Sequence, residues 1–427
     1  MKNINLYQKI LILFLFFLII FSYFYGFYVD ENASGGGGYT GDLSAVFRNV
    51  QLFVNNKFID SIALTTDNNL YYSNRPPLLY LLHSWLNPYL NNLELFRLIV
   101  FFISFIAPVL FYFCLRIKFR IVNNFYLLFL ASLILLSPYF RASSYWGLEE
   151  NYGIISMLFS FIAINLFFIN KNYYYLLFAI FFSSVCVYFD QKLILIPLIF
   201  LFLLISSKIN INYIIFSVIL FFLFSIPFMY LIKIWGNITP VGNNDIYNVG
   251  SKFYFHHICF VTNIIAFYLF PFLFFLNKKK IKELLHNMYK KKINHLVSFI
   301  AILYLFFFLF FLDISPSFSF GGGYSYKLAI YFFENTFSQK FFLTIIFIFS
   351  FLTILLFAND NIINTIFIVF FLLSSIIINP LLHEYLDPLI LLFFFTFSNT
   401  KFNFNLKNIL IFFCYFLIIL VSANIYN

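Results

Sequence analysis

Charge is what this chain has least of. Asp, Glu, Lys and Arg make up only 10% of its 427 residues, against 63% hydrophobic ones, and its mean hydropathy is +0.93. Soluble domains carry about a quarter charged residues, so this scarcity excludes an ordinary water-soluble fold and points to lipid as the main solvent. Cysteine is also scarce. The four, Cys114, Cys186, Cys259 and Cys414, form no C-x-x-C and no metal-ligand spacing, which excludes a zinc module or disulfide scaffold and leaves them as inert core residues. No glycine-rich phosphate motif occurs in a Lys-rich loop. The recurrence of GGGY at Gly36–Tyr39 and Gly321–Tyr324 is too short to count as an internal repeat. Few ionisable residues fall inside the apolar runs, whereas a transporter or lipid flippase places such groups near mid-membrane.

Runs of roughly 17 to 22 apolar residues recur along the whole length, each long enough to cross a hydrocarbon core of about 30 Å as a helix. They predict an all-α polytopic membrane protein with about 13 spans, near 9–28, 95–115, 121–138, 151–169, 173–189, 193–206, 213–234, 256–276, 295–312, 341–358, 362–379, 383–398 and 408–424. The first reads as an uncleaved anchor, because no small-x-small cleavage site directly follows its apolar run. The 71 phenylalanines accompany a general excess of Ile, Leu, Asn, Lys and Tyr and carry no functional weight.

Charge predicts the orientation, since Lys and Arg gather in loops that stay in the cytoplasm. With the N-terminus inside, 16 of the 26 basic residues fall on the inner side, whereas among the acids only Glu283 and Asp360 do. The net charge of +10 is therefore topogenic; it suits anionic head groups and gives no reason to expect nucleic acid. The expected localisation is an integral protein of a bacterial inner membrane, or of the endoplasmic reticulum in a eukaryote. Two long outer loops follow, 29–94 and 313–340, as decorations on one membrane-embedded domain, 1–427. The longest inner loop, 277–294, has 18 residues, seven of them Lys. A folded nucleotide-sugar pocket takes on the order of 100 residues, so that loop cannot supply one.

The first outer loop holds GGGGYTGDLSAVFRNV and YYSNRPPLLYLLHSWL. After Asp42, Leu43, Val46, Phe47, Val50 and Val54 recur at helical spacing and predict an interfacial amphipathic helix. Asp42 is either its N-cap or a carboxylate brought to the membrane surface by the glycine run to accept a proton. Ser73 and Asn74 are cap candidates and Pro76 and Pro77 stiffen the start of a second helix, with Leu78, Leu79, Leu82, Trp85 and Leu86 on its apolar side. Arg75 there is either a solvated or head-group-binding charge or a phosphate contact.

An acid after the first span, then 30 to 35 residues, then x-P-P-L-x-Y-x-L before the second span resembles the C-type glycosyltransferases, which take a sugar from a polyprenyl-phosphate carrier. Protein O-mannosyltransferases, aminoarabinose transferases of lipid A and dolichyl-phosphate-glucose-dependent glucosyltransferases belong to that group. The matching positions are Asp42 and Arg75-Pro76-Pro77-Leu78; the family often has adjacent acids, and here Leu43 follows Asp42. SPYFRASSYWGLEENYG resembles a further outer loop of these enzymes, with Glu149 or Glu150 as its acid and Arg141 upstream. A helix N-terminus alone also accounts for two glutamates. NPLLHEYLDPLI resembles the R-Y-x-x-P element near the last spans, keeping Tyr385 and Pro388, with Glu384 where an arginine is often found.

The resemblance implies inverting transfer on the outer face from a polyprenyl-phosphate sugar to a hydroxyl of a glycan, lipid or protein. It makes Asp42, Glu149 and Glu150 the catalytic candidates. Glu149 or Glu150 would orient the acceptor or hold a divalent cation such as Mg or Mn. Arg75, Arg141 and Lys327 would stabilise the leaving phosphate, Lys327 being equally readable as a solvated loop residue. His256 and His257 read as interfacial, and Asp190, Gln191 and Lys192 as a tight topological turn. Two other classes stay open. An O-antigen polymerase has a similar span count but usually a late large loop, and a lipid-linked sugar flippase would show transport without transfer.

Overall fold

The computed structural model describes residues 5–67, 69–86, 92–207, 209–240, 248–249, 253–314, 322–379 and 381–426. Among them the chain is helical apart from one two-residue antiparallel pair, Asn248–Val249 with Ile378–Asn379. Within the stretch expected as one domain, the helices gather into two compact units, Met1–Asn243 with Phe413–Asn427, and Asn244–Phe412.

The first unit contains α1 (Leu6–Tyr28), α2 (Ser44–Asn55), α3 (Phe58–Leu64), α4 (Leu78–Leu86), α5 (Leu93–Ser104), α6 (Ile106–Lys118), α7 (Asn124–Ser132), α8 (Pro138–Trp146), α9 (Glu149–Asn170), α10 (Tyr173–Phe189), α11 (Leu195–Ser206) and α12 (Ile211–Trp235). The second holds α13 (His257–Leu269), α14 (Lys278–Lys290), α15 (Lys292–Phe310), α16 (Gly323–Phe332), α17 (Thr336–Asp360), α18 (Ile362–Ser375) and α19 (Leu389–Thr396), with α20 (Leu406–Tyr426) contributing its last part to the first unit.

Eight helices among the described residues are long and apolar enough to cross a membrane: Leu6–Tyr28, Leu93–Lys118, Glu149–Asn170, Ile211–Trp235, His257–Phe275, Lys292–Phe310, Thr336–Asp360 and Leu406–Ile425. Five of the 13 expected spans lack a continuous helix of that length. Near 173–189, 193–206 and 362–379 the helices are shorter, near 383–398 α19 covers only Leu389–Thr396, and near 121–138 a helix pair, Asn124–Leu136 and Pro138–Trp146, is bent by 69°.

That bend has an evident cause. Pro138 cannot donate a backbone N–H and Ser137 caps the next helix, its side chain accepting from the N–H of Phe140, so the ladder is interrupted in apolar surroundings. Buried Arg141 repairs it: its Nε donates to the carbonyl of Leu135 at 2.7 Å, as backbone groups in lipid must find partners within the protein. Lys9 lies over the ring of Phe125, while Tyr145 donates to the carbonyl of Tyr23. The bent pair thus meets α1 at both ends of a stretch of roughly 20 Å at 1.5 Å per residue and follows it in the same direction.

A second interruption is handled by a tyrosine. Pro227 sits inside α12. The hydroxyl of Tyr188 is inserted into the ladder beside it, accepting from the N–H of Phe228 at 3.0 Å and donating to the carbonyl of Phe224 at 2.5 Å. Tyr188 thereby joins α10 to α12. Tyr173 packs on Tyr213 at the other end of α10, so α10 and α12 are parallel and the chain through α11 returns over the same depth.

In the second unit, the Cys259 amide of α13 donates to the hydroxyl of Tyr304 on α15 at 3.0 Å, beside its bond to the carbonyl of His256. At the opposite end Lys280 of α14 pairs with Asp360 at 2.9 Å, and Asp360 accepts from Thr400 at 2.6 Å.

Tyr188→Phe is expected to leave the Phe228 amide and the Phe224 carbonyl unsatisfied and to destabilise the protein by about 1–3 kcal/mol. Pro227→Ala in the same chain restores a self-sufficient ladder and recovers most of the loss. Thermal unfolding of both variants in detergent checks this; equal midpoints for Tyr188→Phe and the double variant would refute it.

Candidate functional site

Three separate segments of the chain between α1 and α12 bring polar residues together around Arg75. The first is the glycine run. Gly38 donates its N–H to Oδ2 of Asp42 at 3.1 Å, and the N–H of Gly37 adds a second bond. A Cβ on Gly36 would come within 2.8 Å of Asp42 Oδ2, and one on Gly37 within 2.9 Å of Oδ1. Only residues without side chains can wrap the carboxylate this closely. Asp42 is therefore no N-cap: it lies in the turn Tyr39–Leu43 and bonds upstream amides, and no side chain caps α2. Burial raises the pKa of Asp42, and the charge of Glu150 adds to this, against the Gly38 and Gly37 bonds and the charge of Arg75.

The second segment leads into α4. Arg75, largely buried, sits between two glutamates. Its Nη1 lies 3.7 Å from Oε2 of Glu149, and its Nη2 is in direct contact with Oε1 of Glu150. Burial opposes its charge, but Glu150, Asp190 and Glu149 together hold its pKa well above the usual value. Glu149 is further held through Oε1, which accepts from Ser73 at 3.0 Å and from Tyr80. Tyr71 donates to the Arg75 carbonyl at 2.6 Å, and burial, then Glu149, raise the pKa of both tyrosines. Among the described residues Oε2 of Glu150 has no hydrogen-bond partner although buried.

The third segment is the turn Asp190-Gln191-Lys192. Lys192 Nζ pairs with Asp190 Oδ2 at 2.9 Å, its charge acts on Glu150, and Gln191 Nε2 donates to the carbonyl of Asn74 at 3.0 Å.

Asp42, Arg75, Glu149 and Glu150 are thus brought together within the first unit, where Arg141 makes a different set of contacts; Lys327 belongs to the second unit. Arg141 is 2% exposed and uses four N–H bonds within the protein, to Leu135 O, Ser22 O, Ser22 Oγ and Glu31 Oε2. It holds the broken helix against α1, and its guanidinium is not offered to a phosphate. Lys327 lies on α16 of the second unit, where burial lowers its pKa and its charge acts on buried His383. His383 accepts from the Tyr324 amide at 2.8 Å. In the proline-bearing element near the last spans, Tyr385 closes a short turn, His383–Tyr385, while Pro380 lies outside the described residues, as does Gly321 of the second GGGY.

The helices of the first loop bury part of the expected apolar stripes, Leu43, Val46 and Val50 among them, together with polar residues. In α2, Val46, Val50 and Phe53 are buried together with Asn49, whose Oδ1 accepts from the Tyr72 amide at 3.0 Å, while Val54 is exposed. In α4, Leu79, Tyr80 and His83 are buried and Trp85 is 72% exposed. His83 bonds Tyr152 through Nε2 at 2.6 Å, and burial lowers its pKa to about 4. The readable signal was the polar pair Tyr80 and His83 at three-residue spacing. It was outweighed by an apolar stripe whose Trp85 faces outward.

The residues do not suit a divalent cation. Both glutamates face Arg75, Glu149 Oε1 is occupied by two hydroxyl donors, and among the described residues no three His, Cys, Asp or Glu gather as a metal set. No protein-family model, curated protein or solved structure matches the chain.

Because the charge of Glu150 raises the pKa of Asp42 and that of Arg75 lowers it, the two neutralising variants are expected to act oppositely. Glu150→Gln lets Asp42 ionise at lower pH, and Arg75→Gln defers ionisation to higher pH. Carboxyl-stretch difference infrared spectra, with Asp42→Asn identifying the band, read both shifts; movement in the same direction would contradict the arrangement. Gly37→Ala, which crowds Asp42 from both its amide and its carboxylate, is expected to broaden or abolish that band.

Proposed function

We propose that the chain is a membrane glycosyltransferase of the C type, moving a sugar from a polyprenyl-phosphate carrier to an acceptor hydroxyl with inversion. One observation supports this above the rest: the first-loop acid, the Arg-Pro-Pro element and the Glu149-Glu150 pair, the three pieces in which the sequence best resembles that family, meet around Arg75.

The site lies on the outer face, with the N-terminus and the 277–294 loop in the cytoplasm, and α2 and α4 rest at the outer leaflet surface. About 13 crossings fit this arrangement. The parallel courses of α1 with the bent pair, and of α10 with α12, support counting the short and broken helices of the first unit as crossings.

The acceptor hydroxyl gives its proton to the Asp42 carboxylate as its oxygen bonds to the anomeric carbon. The bond from that carbon to the phosphate oxygen breaks, and polyprenyl phosphate departs with the electron pair. A carboxyl whose pKa is raised is the stronger base once ionised. The leaving group is stable as an anion, so its chief need is a cation, and Arg75 supplies one. Glu149 and Glu150 orient Arg75, and Glu150, with a free buried oxygen, is placed to hold an acceptor hydroxyl. The acceptor is a glycan, lipid or protein.

Reconstituted in liposomes, the purified protein is expected to transfer sugar when given polyprenyl-phosphate sugars and not when given nucleotide sugars alone. Asp42→Asn should lower turnover roughly 10²-fold or more without loss of folding. Transfer from a nucleotide sugar with no lipid-linked intermediate, or lipid-linked sugar crossing the bilayer without transfer, would overturn the reading.

A further inference from the structure

The polyprenyl-phosphate sugar is a diester with one negative charge, and the polyprenyl phosphate that departs is a monoester with up to two, while the cluster around Arg75 offers that guanidinium already shared between two glutamates. A second cation is needed to hold the phosphate as its charge grows. Arg141 is engaged in a different set of contacts through four hydrogen bonds within the protein. The turn after α10 carries the alternative.

Three contacts fix that turn beside Arg75. Gln191 is tied to the carbonyl of Asn74, the residue preceding Arg75, at 3.0 Å. Asp190 Oδ1 accepts from the Lys192 amide at 3.2 Å, closing the turn. Gly153, one turn along α9 from the glutamates, has no side chain to keep the turn away: a Cβ there would lie 2.8 Å from Leu193 Cδ1 and 3.5 Å from the Asp190 Cβ. The Lys192 ammonium consequently rests on Asp190 Oδ2 at 2.9 Å and within electrostatic reach of Glu150, with its side chain 15% exposed. Asp190 in turn acts on Arg75. The two cations therefore share their carboxylate neighbours.

Resting on the function proposed above, we infer that Lys192 and Arg75 together form the binding site for the lipid-linked phosphate, with Asp190 and Glu150 holding the cations until the phosphate replaces them. A lysine suits this role because its ammonium is a compact charge on a flexible stem that can swing from one oxygen to another. Its partner Arg75 supplies the planar, directional half of the contact.

The test is direct binding of farnesyl phosphate, a short polyprenyl monophosphate, to the full-length protein in nanodiscs, with farnesol and inorganic phosphate as controls. Lys192→Gln is expected to weaken farnesyl phosphate binding at least tenfold and to leave farnesol binding unchanged. Lys192→Arg should retain most of the affinity, which also guards against a folding defect in the glutamine variant. Asp190→Asn, by releasing the ammonium, should bind as tightly as the native chain or tighter. Native-strength binding by folded Lys192→Gln would overturn the assignment of Lys192 while leaving the glycosyltransferase reading intact. Absence of farnesyl phosphate binding by the native chain would remove both. Inorganic phosphate binding more tightly than farnesyl phosphate would refute a lipid-linked ligand.

Discussion

A guanidinium taken out of water has to be met by carboxylates, and the first unit is arranged around that requirement at Arg75. The segment before α4 carries no regular structure at residues 71–75, so its position comes from what it bonds. Glu149 and Glu150 hold the guanidinium, Tyr71 holds the Arg75 carbonyl, and Gln191 holds that of Asn74. Removing one member of such a set leaves the others buried and uncompensated, which costs several times more than a surface ion pair. The same contacts that secure the segment gather the chemistry.

The rule extends to the backbone. In a hydrocarbon solvent an open carbonyl or amide is costly, and the first unit answers two of its helix breaks with a side chain. Arg141 meets the carbonyl of Leu135 below Pro138, and Tyr188 bridges the gap at Pro227. Arg97 does similar service at the end of α1, donating to the carbonyls of Phe27 and Tyr145 and pairing with Asp30 at 2.6 Å. Cations that look alike in the sequence therefore have different tasks. Arg97 and Arg141 saturate backbone groups, whereas Arg75 meets only side-chain carboxylates and can exchange one anionic partner for another.

That distinction shapes the electrostatics of the proposed reaction. Asp42 sits in a cradle of glycine amides, close enough to Glu150 and Arg75 to feel both. Its basicity depends on which anion Arg75 holds. A phosphate taking the place of Glu150 at the guanidinium would draw some of the cation's influence away from Asp42, making the carboxylate a better proton acceptor when the donor is in place.

Much of this was legible in the chain. Apolar runs of spanning length marked all eight long spans, because the thickness of a bilayer sets the length of a helix. Asp42, Arg75, Glu149 and Glu150 stood out because they occupy the motifs that carry the family resemblance in a sequence with few charges. The apolar stripe of α2 was legible in Leu43, Val46 and Val50, but the polar residues packed with it were not: Asn49, Tyr80 and His83 are buried because each finds a hydrogen-bond partner on another segment, while Trp85 is exposed. Nor does sequence spacing reveal that Lys192 stands near Glu150 or that Arg141 is spent on Leu135. The sequence by itself determined the solvent, the long helices and the few charges that had to find partners. Which charge met which was decided only by the tertiary structure, because each pairing depends on where two helix breaks and one docked turn place the ends of distant segments.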